Sequence, residues 1–325
     1  MRNLVKIILL MIVVLGLVIG SFGLGYAAEK NIVIEVAHMF AEGDPNTIAV
    51  EAGKKYIEEK TNGRITFQIY PNGTYGEQQN CIQAVRMGTL DVFNGGFGSE
   101  LYKPAGAIQG PYLFKDYEQW KKFKASDICK EIVLGIEKAA GFKVVGIGHF
   151  GFRQTLITSP AKTVDDFSKL KLRVVNSPPY PQAAVVLGAT GTPVPIVDVY
   201  LAIQTGVVDG TENPLPQIIA MKFYEVAKYL IKTNHMIATQ NWFVSNKLWN
   251  SLLPDDQKIF EETWDYIANM IEEIVEQEED NNIKFLQQNG VTVITPDKQQ
   301  FIDRLPLVFE KYPDWVAIYD EVSKL

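Results

Sequence analysis

The stretch "GIGHFGFRQTLIT", residues 146–158, sets Gly146, Gly148 and Gly151 at the G-x-G-x-x-G spacing that cradles a dinucleotide pyrophosphate. An apolar run from Phe142 to Ile147 precedes it, and Asp165 and Asp166 lie near where a ribose-binding acid is expected. Such a fingerprint works only if its third glycine opens a helix whose N-terminus meets the pyrophosphate. Here Gly151 is followed by the β-branched Thr155, Ile157 and Thr158, then by Pro160. The segment is predicted to continue extended, so nicotinamide chemistry is not expected and the glycines are read as bends in a strand. Other chemistry is scarce: there is no G-x-S-x-G, H-E-x-x-H, Walker lysine loop or paired-cysteine motif. His38, His149 and His235 are too far apart for local ligand spacing. The acids Glu272, Glu273, Glu276, Glu278, Glu279 and Asp280 lack the Asp/Gly pattern of a calcium loop and are expected to form a solvated helix face. No catalytic residue, metal or cofactor is expected, and the chain is read as a binding protein rather than an enzyme.

Two arginines stand out instead. In "LKLRVVN", period-two alternation sends Arg173 to the strand face opposite Leu172 and Val174. Arg153 opens the extended segment after the glycines. An arginine fork holds a carboxylate through two parallel charge-assisted hydrogen bonds, each worth about 1.5–3 kcal/mol. On spacing alone, either arginine could equally decorate the surface.

The elements that must carry these side chains are legible in outline. Residues 1–28 read as a secretory signal peptide: Arg2 and Lys6 head an apolar run from Ile7 to Ile19, and small residues follow. Cleavage is expected near Ala27 or Ala28, and an uncleaved anchor stays open. Losing the two positive charges takes the net charge from −7 to −9, which makes nucleic acid an unsuitable partner. A chain of 325 residues is long enough for two cores rather than one. "NIVIEVAH" and "RITFQIYP" are predicted strands around a helix opened by Pro45 and stopped by Asn62-Gly63, a parallel βαβ unit. "AVRMGTLD" (84–91) is echoed by "AIQTGVVD" (202–209), which suggests one helix-to-strand corner built twice. From Pro254 to about 289 an apolar side recurs at Phe260, Trp264, Ile267, Ile271, Ile274 and Val275. At 1.5 Å per residue that helix is ~50 Å long and must reach across two lobes. Cys81 and Cys129 fall in predicted helices and are either buried thiols or one bridge.

The stretch 169–235 carries "VLGATGTPVP", "VYLAIQTGVVDGTENPL" and "KFYEVAKYL", and weaker matches run from "AHMF" through "YPNGTYGEQQN" and "MGTLDV" to "WFVSNKLWNSLLPDDQKIF". In these the chain resembles the solute-binding (P) subunits of tripartite ATP-independent periplasmic (TRAP) transporters, the DctP-type proteins, over residues 31–320. The resemblance implies a two-lobed α/β periplasmic-binding-protein fold with crossing hinge strands and a long helix spanning both lobes. It implies lobe I from 29–150 plus about 239–278, and lobe II from 151–238 plus about 279–325, with the helix of about 254–289 shared. It further implies capture of a small organic acid between the lobes and delivery to TRAP membrane permease subunits, by an exported periplasmic monomer. A ligand-sensing input to a receptor kinase and an exported enzyme are the alternatives. The family's carboxylate-gripping arginine falls on Arg173, its second arginine on Arg153, and its amide donor on Asn213, with Asn176 and Glu212 as further contacts. Met39, Phe40, Gln78, Gly96, Phe97, Phe150, Ile196 and Trp242 complete the expected lining. Because many of these are apolar, a compact or partly apolar acid is expected, such as a C4-dicarboxylate, a 2-oxo acid or an aromatic acid, and sialic acid is not.

Overall fold

Two strands of unusual length, β4 (Phe142–Ile157) and β8 (Tyr229–Ser245), organise the protein in the computed structural model, which describes residues 31–325. The predicted signal peptide lies outside the described residues. The other strands are β1 (Ile32–Ala37), β2 (Ile65–Tyr70), β3 (Val92–Gly95), β5 (Lys171–Val174), β6 (Thr190–Pro193), β7 (Gly210–Pro214) and β9 (Thr292–Ile294). They share one sheet in the order β2-β1-β3-β8-β4-β7-β5-β6, with β9 on β8. The beginning of β4 pairs with the end of β8, beside β3; the end of β4 pairs with the beginning of β8, between β7 and β9. Each long strand therefore serves two half-sheets. The result is a two-lobed α/β fold, with residues Val33–Leu325 forming one unit.

The glycines of the dinucleotide-like motif sit where β4 changes register against β8, between Val145 and Gly148 and again between His149 and Phe152. Gly146 and Gly151 have φ of +57° and +92°, a region that L side chains avoid. A Cβ on Gly146 would lie 2.7 Å from the carbonyl oxygen of Trp264, so the bare backbone also lets the long helix approach. Bulge and close packing, not phosphate binding, explain the motif.

The repeated octapeptide is a repeated structure. Gly88 and Gly206 end their helices at φ of +69° and +74°. Each is followed by amides that return to the same carbonyl: Thr89 and Leu90 to Ala84, Val207 and Val208 to Ala202. Asp91 then accepts from the amide of Glu35 on β1 at 3.0 Å, as Asp209 does from Lys171 on β5 at 2.8 Å. The Asp91 carbonyl receives Ser245 N at the end of β8, as that of Asp209 receives Thr158 N just after β4. β1, β3 and the end of β8 thus match β5, β7 and the end of β4.

The long helix is Pro254–Gln288, 35 residues. Trp264 packs at a tilt against Trp242 near one end, and Leu286 enters the Leu156–Ile203–Leu230 core near the other. Its acidic run is not simply a solvated face, as the sequence suggested. Glu272, 8% exposed, accepts from Trp120 Nε1 at 2.8 Å and from His149 N at 3.1 Å. Glu276 meets His149 Nε2 at 3.1 Å and Lys121 at 3.0 Å, and Glu279 accepts from Tyr117 at 2.9 Å. These acids tie the helix Tyr117–Ala125 and the bulge of β4 to the long helix. Spacing in sequence could not reveal partners more than a hundred residues away.

A first core gathers Phe93, Phe97, Trp120, Phe123 and Phe243; a second holds Phe167, Leu172, Phe301 and Trp315. Val322, expected in lobe II, joins the first core, and Gln119 Nε2 holds its carbonyl at 2.9 Å. Cys81 and Cys129 are separate buried thiols, each pushed up to about 11 by burial.

Candidate ligand-binding cleft

Arg173 lies on β5 with Leu172 packed in the core behind it, as the alternation requires. Its side chain is 3% exposed. Nε donates to the carbonyl of Val194 at 2.8 Å, whereas the buried Nη1 has no partner. Burial, only partly offset by Glu212, brings this guanidinium down from its ordinary value to about 10. A buried donor left unpaired is costly, so a position this well built yet unsatisfied suits an acceptor that arrives from outside.

Arg153 is different. From β4 it grips Glu212 of β7 through Nε and Nη2, the latter 3.0 Å from Oε1, and its guanidinium lies 5.0 Å over the Tyr180 ring. Burial disfavours the Arg153 charge, but Glu212 outweighs it and holds the group above its ordinary value. Burial likewise works against ionised Glu212, and Arg153 and His235 overcome it and hold the carboxyl low. His235 places Nε2 3.2 Å from the same carboxylate while Nδ1 accepts from Thr233 at 2.8 Å, so Nε2 carries the proton.

The two arginines open on a cavity of about 260 Å³. It is lined from the second-lobe side by Arg173, Asn176, Ile196 and Asn213, and by Arg153 at the crossing strand. Asn213 Oδ1 accepts from Thr211 at 2.5 Å and its Nδ2 donates to Gln217 at 2.6 Å, which leaves one amide hydrogen over. Met39, Phe40, Gln78, Gly96 and Phe150 line the opposite side, with Phe40 and Phe150 edge to face at 4.9 Å.

Three expected lining residues lie off the cleft. Glu212 is fully buried behind Arg153. Phe97 packs in the first core, and Trp242 packs under the long helix. Glu212 and Phe97 each adjoin a residue that lines the cavity, Asn213 and Gly96, and one step along extended backbone reverses the side chain; Trp242 lies two residues past Gln240, the last lining residue of β8. Sequence reading missed a polar set: Glu77, Gln79, Asn94, Tyr180, Gln217, Thr239 and Gln240. Gln217, in the helix Leu215–Ala220 that follows β7 directly, stands only four residues beyond Asn213 and was the member with a readable signal. The lining is consequently more polar than the apolar wall expected, because a helix N-terminus and β8 bring amides from distant parts of the chain. Among the described residues, no group of three or more His, Cys, Asp or Glu is placed to hold a metal ion.

Beneath the first-lobe side, Asp44 caps the helix Pro45–Lys60 and is pushed up to about 7 by burial. The folded value exceeds the unfolded one, so folded protein holds the extra proton and its advantage fades as pH rises toward 7. The stability of wild type minus that of Asp44→Asn should therefore fall by about 1.4 kcal/mol per pH unit between roughly pH 4 and 7. Urea denaturation at four pH values measures the slope; a flat difference would contradict a neutral Asp44.

The family model described as bacterial extracellular solute-binding protein, family 7 (DctP), matches residues 36–312. The sialic acid-binding periplasmic protein SiaP of Vibrio cholerae is 31% identical over 258 residues, 79% of this chain and 80% of that one. A TRAP periplasmic solute-binding protein from Haemophilus influenzae, solved with bound L-gulonate, superposes with a TM-score of 0.84 at 27% identity over 90% of this chain and 99% of that one. Another, from Sulfitobacter with bound β-D-galacturonate, gives 0.85 at 25% identity over 90% and 100%.

Proposed function

The chain belongs to the DctP family of bacterial extracellular solute-binding proteins, and on that premise we propose that its cleft captures a monocarboxylate with a hydroxylated body for a TRAP membrane permease. One observation carries the ligand class: Arg173, whose buried Nη1 has no partner, lines a cavity in which uncharged amides and hydroxyls from both sides stand among apolar side chains. Among the described residues the lining holds two cations, and Glu212 neutralises Arg153. One uncompensated charge suits one carboxylate, and Glu77 at the far side opposes a second. This reading sets aside the C4-dicarboxylate, 2-oxo acid and aromatic acid expected from sequence. The volume lies just below the ~300 Å³ at which drug-sized pockets begin, which suits a metabolite of sugar-acid size. The hexonate and hexuronate in the two related structures agree with it.

In this reading Arg173 anchors the carboxylate, Asn213 and Asn176 add amide donors, and Arg153 acts through its fixed position beside them. The ligand bridges the two sides of the cleft and favours the closed arrangement by its higher affinity for it. Bulged β4, β8 and the long helix are the three segments that cross and so bend. The lobes divide as the resemblance implies, apart from the end of the C-terminal helix, where Val322 returns to the first core. Binding without chemistry, action as a monomer, no dealings with nucleic acid, and export with cleavage after Ala27 or Ala28 complete the proposal.

A thermal-shift panel of L-gulonate, D-gluconate, D-galacturonate, succinate, pyruvate and benzoate tests it. A ligand at one hundred times its Kd stabilises by ~2.7 kcal/mol, which a melting curve resolves. The sugar acids should raise the melting temperature and succinate should not. A shift with succinate or benzoate alone would overturn the proposed class.

A further inference from the structure

We infer that Gln240 is a specificity-determining residue whose side-chain oxygen accepts a hydrogen bond from a hydroxyl on the ligand body. The inference rests on the ligand class proposed above and adds a direction to it. Gln240 lines the cleft, is 1% exposed, and has Oε1 without any partner. Its Nε2 donates to Asn46 Oδ1.

A glutamine amide can ordinarily present either end, but this one is fixed by what lies behind it. Asp44 Oδ1 accepts twice from Asn46, from the backbone N and from Nδ2, each at 2.8 Å. That oxygen can only accept, so Asn46 must turn its nitrogen toward Asp44 and its oxygen away. The Asn46 oxygen can only accept in turn, so Gln240 must spend Nε2 on it and leave Oε1 over. Protonation of Asp44 at Oδ2, which has no partner, changes nothing in this chain. Polarity set at a helix cap is thereby carried to the cleft.

Arg173 offers donors only, and Gln240 offers an acceptor. A ligand satisfying both has acceptor oxygens at its acid end and a hydroxyl donor on its body. A methyl group, an ether or a second carboxylate placed against Oε1 leaves a buried acceptor unpaired or repelled. Polar ends of opposite sense make the cleft selective for hydroxy acids.

Calorimetric titration of L-gulonate, D-gluconate and L-galactonate against their single-deoxy analogues tests this, with wild type, Gln240→Met, Asn46→Leu and Arg173→Met. Wild type should lose tenfold or more in affinity at one particular hydroxyl. Gln240→Met should bind the parent acid that much more weakly and lose nothing further at that hydroxyl, while penalties at other positions persist and certify an intact cleft. Asn46→Leu, which frees the amide to turn, should shrink the same penalty. Identical penalties in wild type and Gln240→Met would overturn the role of Gln240 alone. Failure of all three acids to bind wild type, or full binding by Arg173→Met, would overturn the ligand class beneath it.

Discussion

Replacing Arg173 with methionine should abolish ligand binding and leave the ligand-free protein at least as stable as before. The binding loss follows from truncating one side of a buried charge pair, which costs about 2–5 kcal/mol, or roughly 30- to 4000-fold in Kd. The stability claim follows from the state of the side chain without ligand. Its folded value of about 10 lies below the ordinary value of an arginine, so the unfolded chain holds the proton more firmly. At neutral pH the group is charged in both states, and the folded one bears the whole cost, on the order of 3 kcal/mol. Methionine keeps much of the apolar stem and removes that burden. Arg173→Lys keeps the charge but not the fork, and should recover only part of the affinity. Titration calorimetry and urea denaturation on the same preparations separate the two effects. Binding within threefold of wild type would sink the carboxylate clamp.

Glu212→Ala should have the opposite signature, a large loss of stability. The carboxylate neutralises Arg153 and accepts the hydrogen bond of His235 Nε2, all of them buried. Removing one member of such a pair leaves a charge stranded, at about 3–5 kcal/mol. Arg153→Leu combined with Glu212→Leu should restore much of it, because no charge is left stranded and only the His235 Nε2 hydrogen bond is lost. The wild-type network also predicts acid sensitivity. His235 is held below its ordinary 6.5 by burial, against Glu212, so the unfolded chain protonates first and stability declines as pH falls below 6.5. Glu212 is itself held below its ordinary 4.5, so its contribution, complete above that value, drains away as pH falls through the folded one. Urea midpoints across pH 4–8 measure both. A cost under about 1 kcal/mol for Glu212→Ala would mean that packing, not the ion pair, holds β4 to β7.

These contrasting arginines mark how far the sequence could be read. Period-two alternation placed Arg173 on the face away from Leu172, because side-chain direction in a strand is a local property. The long helix was legible for the same reason: Phe260, Trp264 and Ile267 repeat at its own period. Capping signals and the echoed octapeptide likewise concern bonds within a few residues, so they gave the two corners before their distant partners were known. The family resemblance added the two-lobed fold and the expected roles of Arg153, Arg173 and Asn213.

Occupancy and polarity were decided only by the tertiary structure. Arg153 and Arg173 are the same residue type on neighbouring strand systems, yet one meets Glu212 and the other only a carbonyl on its Nε. Glu212, expected from the resemblance, and Phe97 and Trp242, expected as an apolar wall, lie off the cleft in space. Glu272 and Glu276 looked solvated until Trp120, Lys121 and His149 arrived from another part of the chain. Gln240 carried no signal at all, since its orientation is inherited through Asn46 from Asp44, almost two hundred positions earlier. Local bonding writes itself into spacing; a partner brought by folding leaves no mark in the residues next door.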